Sequence, residues 1–244
     1  MESSSIEDFR AARARVLETI AGACKRSGRD PGAVSLVAVS KTVDASRLAT
    51  AVQAGLDLLG ENRVQEAESK CPLLPGARWH LIGPLQSNKA RKAVQLFDAI
   101  ETVDSLDLAR RLDRLAGESG RHPTGLGIYL QVNVDRDEAK SGFLLEILQG
   151  ELHELSSLPN VRLLGLMTVG RLTGSAEEAR PTFARLRGLS ERLTGEHPSL
   201  GHGLSMGMTN DYAVAVEEGA TLVRVGRAIF GTRADVPKGS ASGR

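Results

Sequence analysis

Short apolar runs alternate with longer amphipathic stretches along almost the whole chain. The short runs are Val34–Ser40, Leu56–Gly60, Trp79–Gly83, Ala99–Val103, Leu126–Val134, Leu163–Val169, Gly203–Gly207 and Thr221–Val225. Their length and β-branched content predict strands. Between them, apolar residues recur every three or four positions, the period of a helix with one buried face. In the stretch 105–116, Leu108, Leu112 and Leu115 fall on a single stripe. Ser105 and Thr209 each precede such a run, and their hydroxyls are placed to accept from the free N–H groups of a first turn, so both are expected N-caps. One more amphipathic helix, about residues 6–27, precedes the first strand.

Strands separated by helices imply a parallel sheet, because parallel neighbours need a crossover connection. Eight such units in 244 residues predict a single (β/α)8 TIM barrel with an extra N-terminal helix, a fold of typically about 250 residues. A doubly wound open sheet is the alternative. The barrel domain is expected to span 1–236, and the polar Gly/Ser-rich tail 237–244 to be disordered.

Composition narrows the function classes. The formal charge is +1 and aromatic residues make up 3%, so neither a basic footprint nor a stacking platform suggests a nucleic-acid partner. No apolar run approaches the roughly 20 residues of a membrane span. The N-terminus is charged, without a signal-peptide core. Cys24 and Cys71 have no metal-ligand spacing and form no disulfide framework. A cytoplasmic location is therefore expected, and no feature demands a dimer, so a monomer is expected as well.

In a barrel of this kind the chemistry lies where strands end and βα loops begin. Lys41 follows an apolar strand, and alternation puts Val37, Val39 and Lys41 on one face. If that face is the interior, partial desolvation favours a neutral, nucleophilic amine able to form a Schiff base; a lysine at the lip reaching solvent is the alternative. Arg224 interrupts the apolar run TLVRVG and must find partners there, whether in a structural salt bridge or around a ligand. Gly203, Ser205, Gly207 and Gly226 cluster at the last two strands, where barrels commonly bind phosphate. His80 and Asn62 stand at strand ends, open to ligand contact or to structural roles; Met206 and Met208 are expected to pack.

Together these segments resemble the pyridoxal phosphate homeostasis family. The matching strings are LVAVSKT at 36–42, GENRVQEA at 60–67, WHLIGPLQSNK at 79–89, KSGF at 140–143, GLMTV at 165–169 and the long run 204–231 beginning LSMGMTND. The resemblance extends over about residues 6–233. It implies a barrel like the N-terminal domain of alanine racemase, holding pyridoxal 5′-phosphate (PLP) as a Schiff base on Lys41. It maps phosphate contacts to Ser205, Gly226 and Arg227, the pyridine-nitrogen arginine to Arg224, and pocket positions to Asn62 and His80. No catalytic or metal-binding residue is assigned. A guanidinium keeps its proton, so the ring nitrogen beside Arg224 would stay unprotonated and the ring would be a weak electron sink.

Alanine racemase carries a second, β-rich domain and a catalytic tyrosine on the opposite face of the ring. This sequence ends soon after its eighth strand, and its tyrosines are Tyr129, in strand 5, and Tyr212, after strand 7. The expected function is thus PLP binding in intracellular homeostasis, holding the aldehyde and supplying apo PLP-dependent enzymes. A PLP-dependent racemase or lyase is the alternative, and an aldolase-like Schiff-base barrel a third. Whether Lys140 is a second aldehyde-reactive site stays open.

Overall fold

A computed structural model describes residues 5–170 and 175–231. Eight strands, β1 (Ser35–Val39), β2 (Leu58–Glu61), β3 (Arg78–Leu81), β4 (Ala99–Val103), β5 (Leu126–Gln131), β6 (Val161–Met167), β7 (Gly203–Met208) and β8 (Leu222–Val225), form a closed barrel in chain order. Every neighbouring pair is parallel, and closure pairs Val37 with Arg224 and Ala38 with Val225. The α-helices are α1 (Ile6–Ser27), α2 (Ala45–Gln53), α3 (Val64–Lys70), α4 (Ala90–Leu96), α5 (Leu106–Ser119), α6 (Leu145–Ser157), α7 (Arg180–Glu196), α8 (Tyr212–Glu217) and α9 (Arg227–Phe230). The predicted tail 237–244 and the domain limit at 236 lie outside the described residues. Among the described residues no helix is long and apolar enough to cross a membrane.

Strand alternation sorts the apolar residues into two layers. Val37, Leu58, Tyr129, Met167 and Leu222, with Ile82 and Leu164, pack inside the barrel. The larger cluster lies between barrel and helices and takes in Leu59, Trp79, Leu81, Ile100 and Met206. The N-terminal helix begins with a reciprocal cap between Ser5 and Asp8 and stops at Gly28, whose φ of 68° is left-handed. Its buried stripe of Phe9, Ala12, Val16 and Ile20 lies against α2, α8 and α9. Phe9 meets the Phe230 ring edge-on at 5.7 Å.

Two local expectations are corrected. Ser105 does cap α5, accepting from Leu108 N–H at 3.3 Å. Thr209 caps nothing: Asp211 occupies the N-cap position of α8, and the Thr209 hydroxyl instead accepts from Gly226 N–H at 3.4 Å. The fifth strand also ends earlier than its apolar pattern, at Gln131. Asn133 accepts from Asp137 N–H at 3.0 Å and donates to Asp137 O at 2.8 Å, so its side chain rolls the backbone into a loop.

Candidate functional site

The strand ends that were expected to carry chemistry meet at one mouth of the barrel. Lys41 sits in a tight turn just beyond β1, half-buried, with no hydrogen bond or ion pair among the described residues. Val39 pairs with Gly60, so Lys41 and Asn62 follow just past the ends of the neighbouring strands β1 and β2. Asn62 does not cap α3, whose N-cap is Arg63 without a side-chain bond. Its backbone instead lies against Gly83: a Cβ on Gly83 would stand 2.3 Å from Asn62 O, so only glycine lets the end of β3 pass this close. On the other flank of β1, Gly226 follows β8, and a Cβ there would come 3.3 Å from Val39 Cβ. Arg227 is exposed and donates to Asn210 Oδ1 at 2.9 Å.

Deeper in the barrel, Glu101 gathers three of the predicted residues. This glutamate, fully buried on β4, takes His80 Nδ1 on Oε1 at 2.6 Å and Ser205 Oγ on Oε2 at 2.6 Å. Arg224 lies 3.7 Å from Oε2, donates Nη2 to Thr168 O at 2.8 Å, and also bonds the Ser205 hydroxyl through Nη1. Burial alone would raise the Glu101 carboxyl. The His80 hydrogen bond and charge, the Arg224 charge and the Ser205 hydroxyl outweigh it and hold the group below its ordinary value. Tyr129, nearby in the inner cluster, is pushed up by burial and by the Glu101 charge, so its phenol keeps its proton.

Ser205 belongs to this inner cluster. It is fully buried, well short of the β7 end, and both its donor and acceptor capacity are used by Glu101 and Arg224. The hydroxyl near Gly226 is that of Thr209. Glu101 was missed altogether. Its signal was available: a glutamate inside the apolar run AIETV is the same anomaly that singled out Arg224 in TLVRV.

The arrangement has a defined chemical capacity. Arg224 is 4% exposed, with both Nη atoms engaged; its Nε has no protein partner among the described residues and is not enclosed. The guanidinium, held rigidly beside a buried anion, thus keeps one N–H without an acceptor among the described residues. A free lysine amine stands at the end of the adjoining strand, and a glycine-flanked turn with the Thr209 hydroxyl lies at the end of β8. A cavity of about 250 Å³ opens on the β4–β6 side, lined by Ile82, Thr102, Asn133, Asp135, Lys140 and Thr168 among others. Lys140 donates to Gly170 O at 3.0 Å and Val169 O at 3.3 Å, so its ammonium is tied to backbone carbonyls. Among the described residues no cluster of His, Cys, Asp or Glu could hold a metal ion.

Comparison with known proteins shows the family and the fold. The alanine racemase N-terminal domain family matches residues 20–234. A pyridoxal phosphate homeostasis protein of Pseudomonas aeruginosa is 42% identical over 226 residues, covering 90% of this chain and 94% of that protein. One from Aquifex aeolicus is 38% identical over 221 residues, covering 90% and 96%. Among solved structures, PipY of Synechococcus elongatus with PLP bound superposes with a TM-score of 0.77 at 44% identity, covering 88% of this chain and all of that one.

Proposed function

Because the chain belongs to the pyridoxal phosphate homeostasis proteins of the alanine racemase N-terminal domain family, we propose that it binds PLP at the mouth of its barrel and buffers or delivers it. PLP supplies an aldehyde, which condenses with a primary amine with loss of water, and an anionic phosphate. Lys41 is the amine of this reading. The observation that carries it is the placement of Lys41, which has no partner among the described residues, just past the end of β1 and beside β8 with its anchored Arg224.

Each side chain then has a task. Arg224 presents a donor toward the ring nitrogen and, as a guanidinium, retains its proton, which leaves that nitrogen unprotonated. Glu101, Ser205 and Thr168 keep the guanidinium in place. The backbone at Gly226 and Arg227, with the Thr209 hydroxyl, suits the phosphate. Asn62 and His80 line the intervening wall. A weak electron sink favours holding the aldehyde over turning over amino acids, so a carrier is preferred to a racemase or lyase. In this reading the protein acts in the cytoplasm as a monomer, and apo PLP-dependent enzymes receive the cofactor.

The test is the visible absorption spectrum of purified protein given PLP, before and after borohydride, beside Lys41→Ala. A band that vanishes on reduction and leaves a phosphopyridoxyl group on Lys41 is expected, with none in the variant. A wild-type protein that stays colourless with PLP would sink the reading. Sustained amino-acid turnover by the coloured protein would replace the carrier with the enzyme.

A further inference from the structure

A second buried ionic cluster lies on the outer face of the sheet, behind the Lys41 turn. Glu61, at the end of β2, is fully buried and points outward beneath α3. Lys70, on the last turn of α3, places Nζ 2.6 Å from Glu61 Oε1, and its side chain is 9% exposed. The same Nζ donates to Ser40 O at 3.0 Å, and Ser40 Oγ donates to Glu61 Oε1 at 2.8 Å. Glu66, 3.7 Å from Lys70, accepts from Thr42 N–H at 3.0 Å. The residues immediately before and after Lys41 are thus both held by one cluster of charges, while Lys41 has no partner of its own among the described residues.

The backbone explains why such a grip is needed. Val43 N–H donates to Ser40 O at 3.0 Å and closes a turn with Lys41 and Thr42 at its centre. Thr42 has φ of 65°, a left-handed conformation that a β-branched residue avoids. A strained turn persists only when its surroundings over-determine it. The ladder still reaches Ser40, whose N–H donates to Gly60 O at 2.9 Å; from Lys41 on the chain leaves the sheet, and the charges behind it add the hold on Ser40 O and Thr42 N–H. Burying an ammonium and a carboxylate is costly even when paired. The pair's own contacts converge on Ser40, and Glu66, beside Lys70, extends the hold to Thr42.

We propose that Glu61, Lys70 and Glu66 are positioning residues that fix the Lys41 turn, so that the amine meets an incoming aldehyde in one orientation. This rests on the reading of Lys41 as the point of attachment. In that step the amine nitrogen adds to the aldehyde carbon and water leaves, so C=O is replaced by C=N without redox change. A flexible turn would still carry the amine but would lose the advantage of orientation.

The test separates capture from binding in the full-length protein. Stopped-flow absorbance gives the rate at which PLP is captured, and calorimetry gives the affinity for pyridoxamine phosphate, which lacks the aldehyde and binds only non-covalently. Glu61→Gln combined with Lys70→Met removes both buried charges together, and circular dichroism with a thermal melt checks its fold. Capture slowed at least about tenfold, with pyridoxamine phosphate affinity within twofold of wild type, is expected. Glu66→Ala, at a partly exposed position, removes the acceptor of Thr42 N–H and is expected to slow capture by a smaller factor. If the double variant does not fold, Glu66→Ala decides alone. Capture at the wild-type rate in folded variants overturns the proposal and leaves Lys41 as attachment point intact, and so does a parallel loss of rate and affinity. A wild-type protein that attaches no PLP at Lys41 overturns both.

Discussion

The barrel holds two buried glutamates on different faces of its sheet, and their environments push them in opposite directions. Glu101 faces inward, with both oxygens served by His80 and Ser205 and with Arg224 close by. Its carboxyl is held below the ordinary value although burial opposes this. Glu61 faces outward, with Oε1 serving Lys70 and Ser40 while Oε2 has no hydrogen-bond partner among the described residues. There burial wins over the Lys70 contacts, and the carboxyl is pushed up. Depth alone therefore does not decide whether a buried carboxylate keeps its charge. The spread of donors and the neighbouring charge do: each glutamate accepts two hydrogen bonds, but those of Glu101 serve both oxygens beside the Arg224 charge, whereas those of Glu61 share one oxygen and Glu66 adds a like charge. The inner glutamate suits the permanent anchoring of a cation, whereas the outer one is held less completely.

The largest effect expected from this contrast is on stability. Glu101→Gln leaves the Arg224 guanidinium buried without its anion, and should cost about 3–5 kcal/mol in chemical denaturation. Glu61→Gln removes a less fully satisfied charge, and Lys70 keeps Ser40 O and Glu66, so a loss of about 1–2 kcal/mol is expected. Equal losses in the two variants would break the comparison.

The pH dependence sharpens it, because the signs differ. A depressed folded-state value means that the Glu101 contribution is fully present above the ordinary value of 4.5 and is lost as pH falls through the lower folded value. The deficit of Glu101→Gln relative to wild type should therefore shrink in acid. For Glu61 the folded value is raised, so its contribution is fully present below 4.5 and declines as pH rises through the folded value. The deficit of Glu61→Gln should shrink toward neutral pH. Denaturation midpoints from pH 3 to 8 would reveal it, and matching trends would refute the assignment. The smallest effect is that of Ser205→Ala, about 1 kcal/mol, since Glu101 retains His80 and Arg224. A loss as large as that of Glu101→Gln would mean that Ser205, not the carboxylate, anchors the arginine.

The parts of this molecule that were legible in the sequence are those governed by neighbours a few residues away. The helix Ile6–Ser27, the strand Ala99–Val103 and the Ser105 cap follow from local periodicity and from a hydroxyl beside free N–H groups. Eight strand–helix units in a domain-length chain already argued for a closed barrel. Lys41 and Arg224 stood out as charges set against apolar strands, and the matched strings gave them a ligand. Thr209 misled because the local cap rule could not see that Asp211 would bond Met208 N–H at 2.6 Å and that Gly226 would arrive beside Thr209.

Tertiary structure alone decided which charges meet. Ser205 and Glu101 are 104 residues apart in the chain, and Thr168 and Arg224 are 56 apart. Curling of the sheet into a barrel faces β7 toward β4, and β7 in turn sets Arg224 of β8 beside the end of β6. The sequence by itself determined the elements, their order and the unusual charges, because these depend on local periodicity and on the cost of a charge in an apolar run. The partners of those charges were set by barrel register and depth, which are global properties: a residue's neighbours across a closed sheet belong to distant strands, and no local pattern encodes their distance.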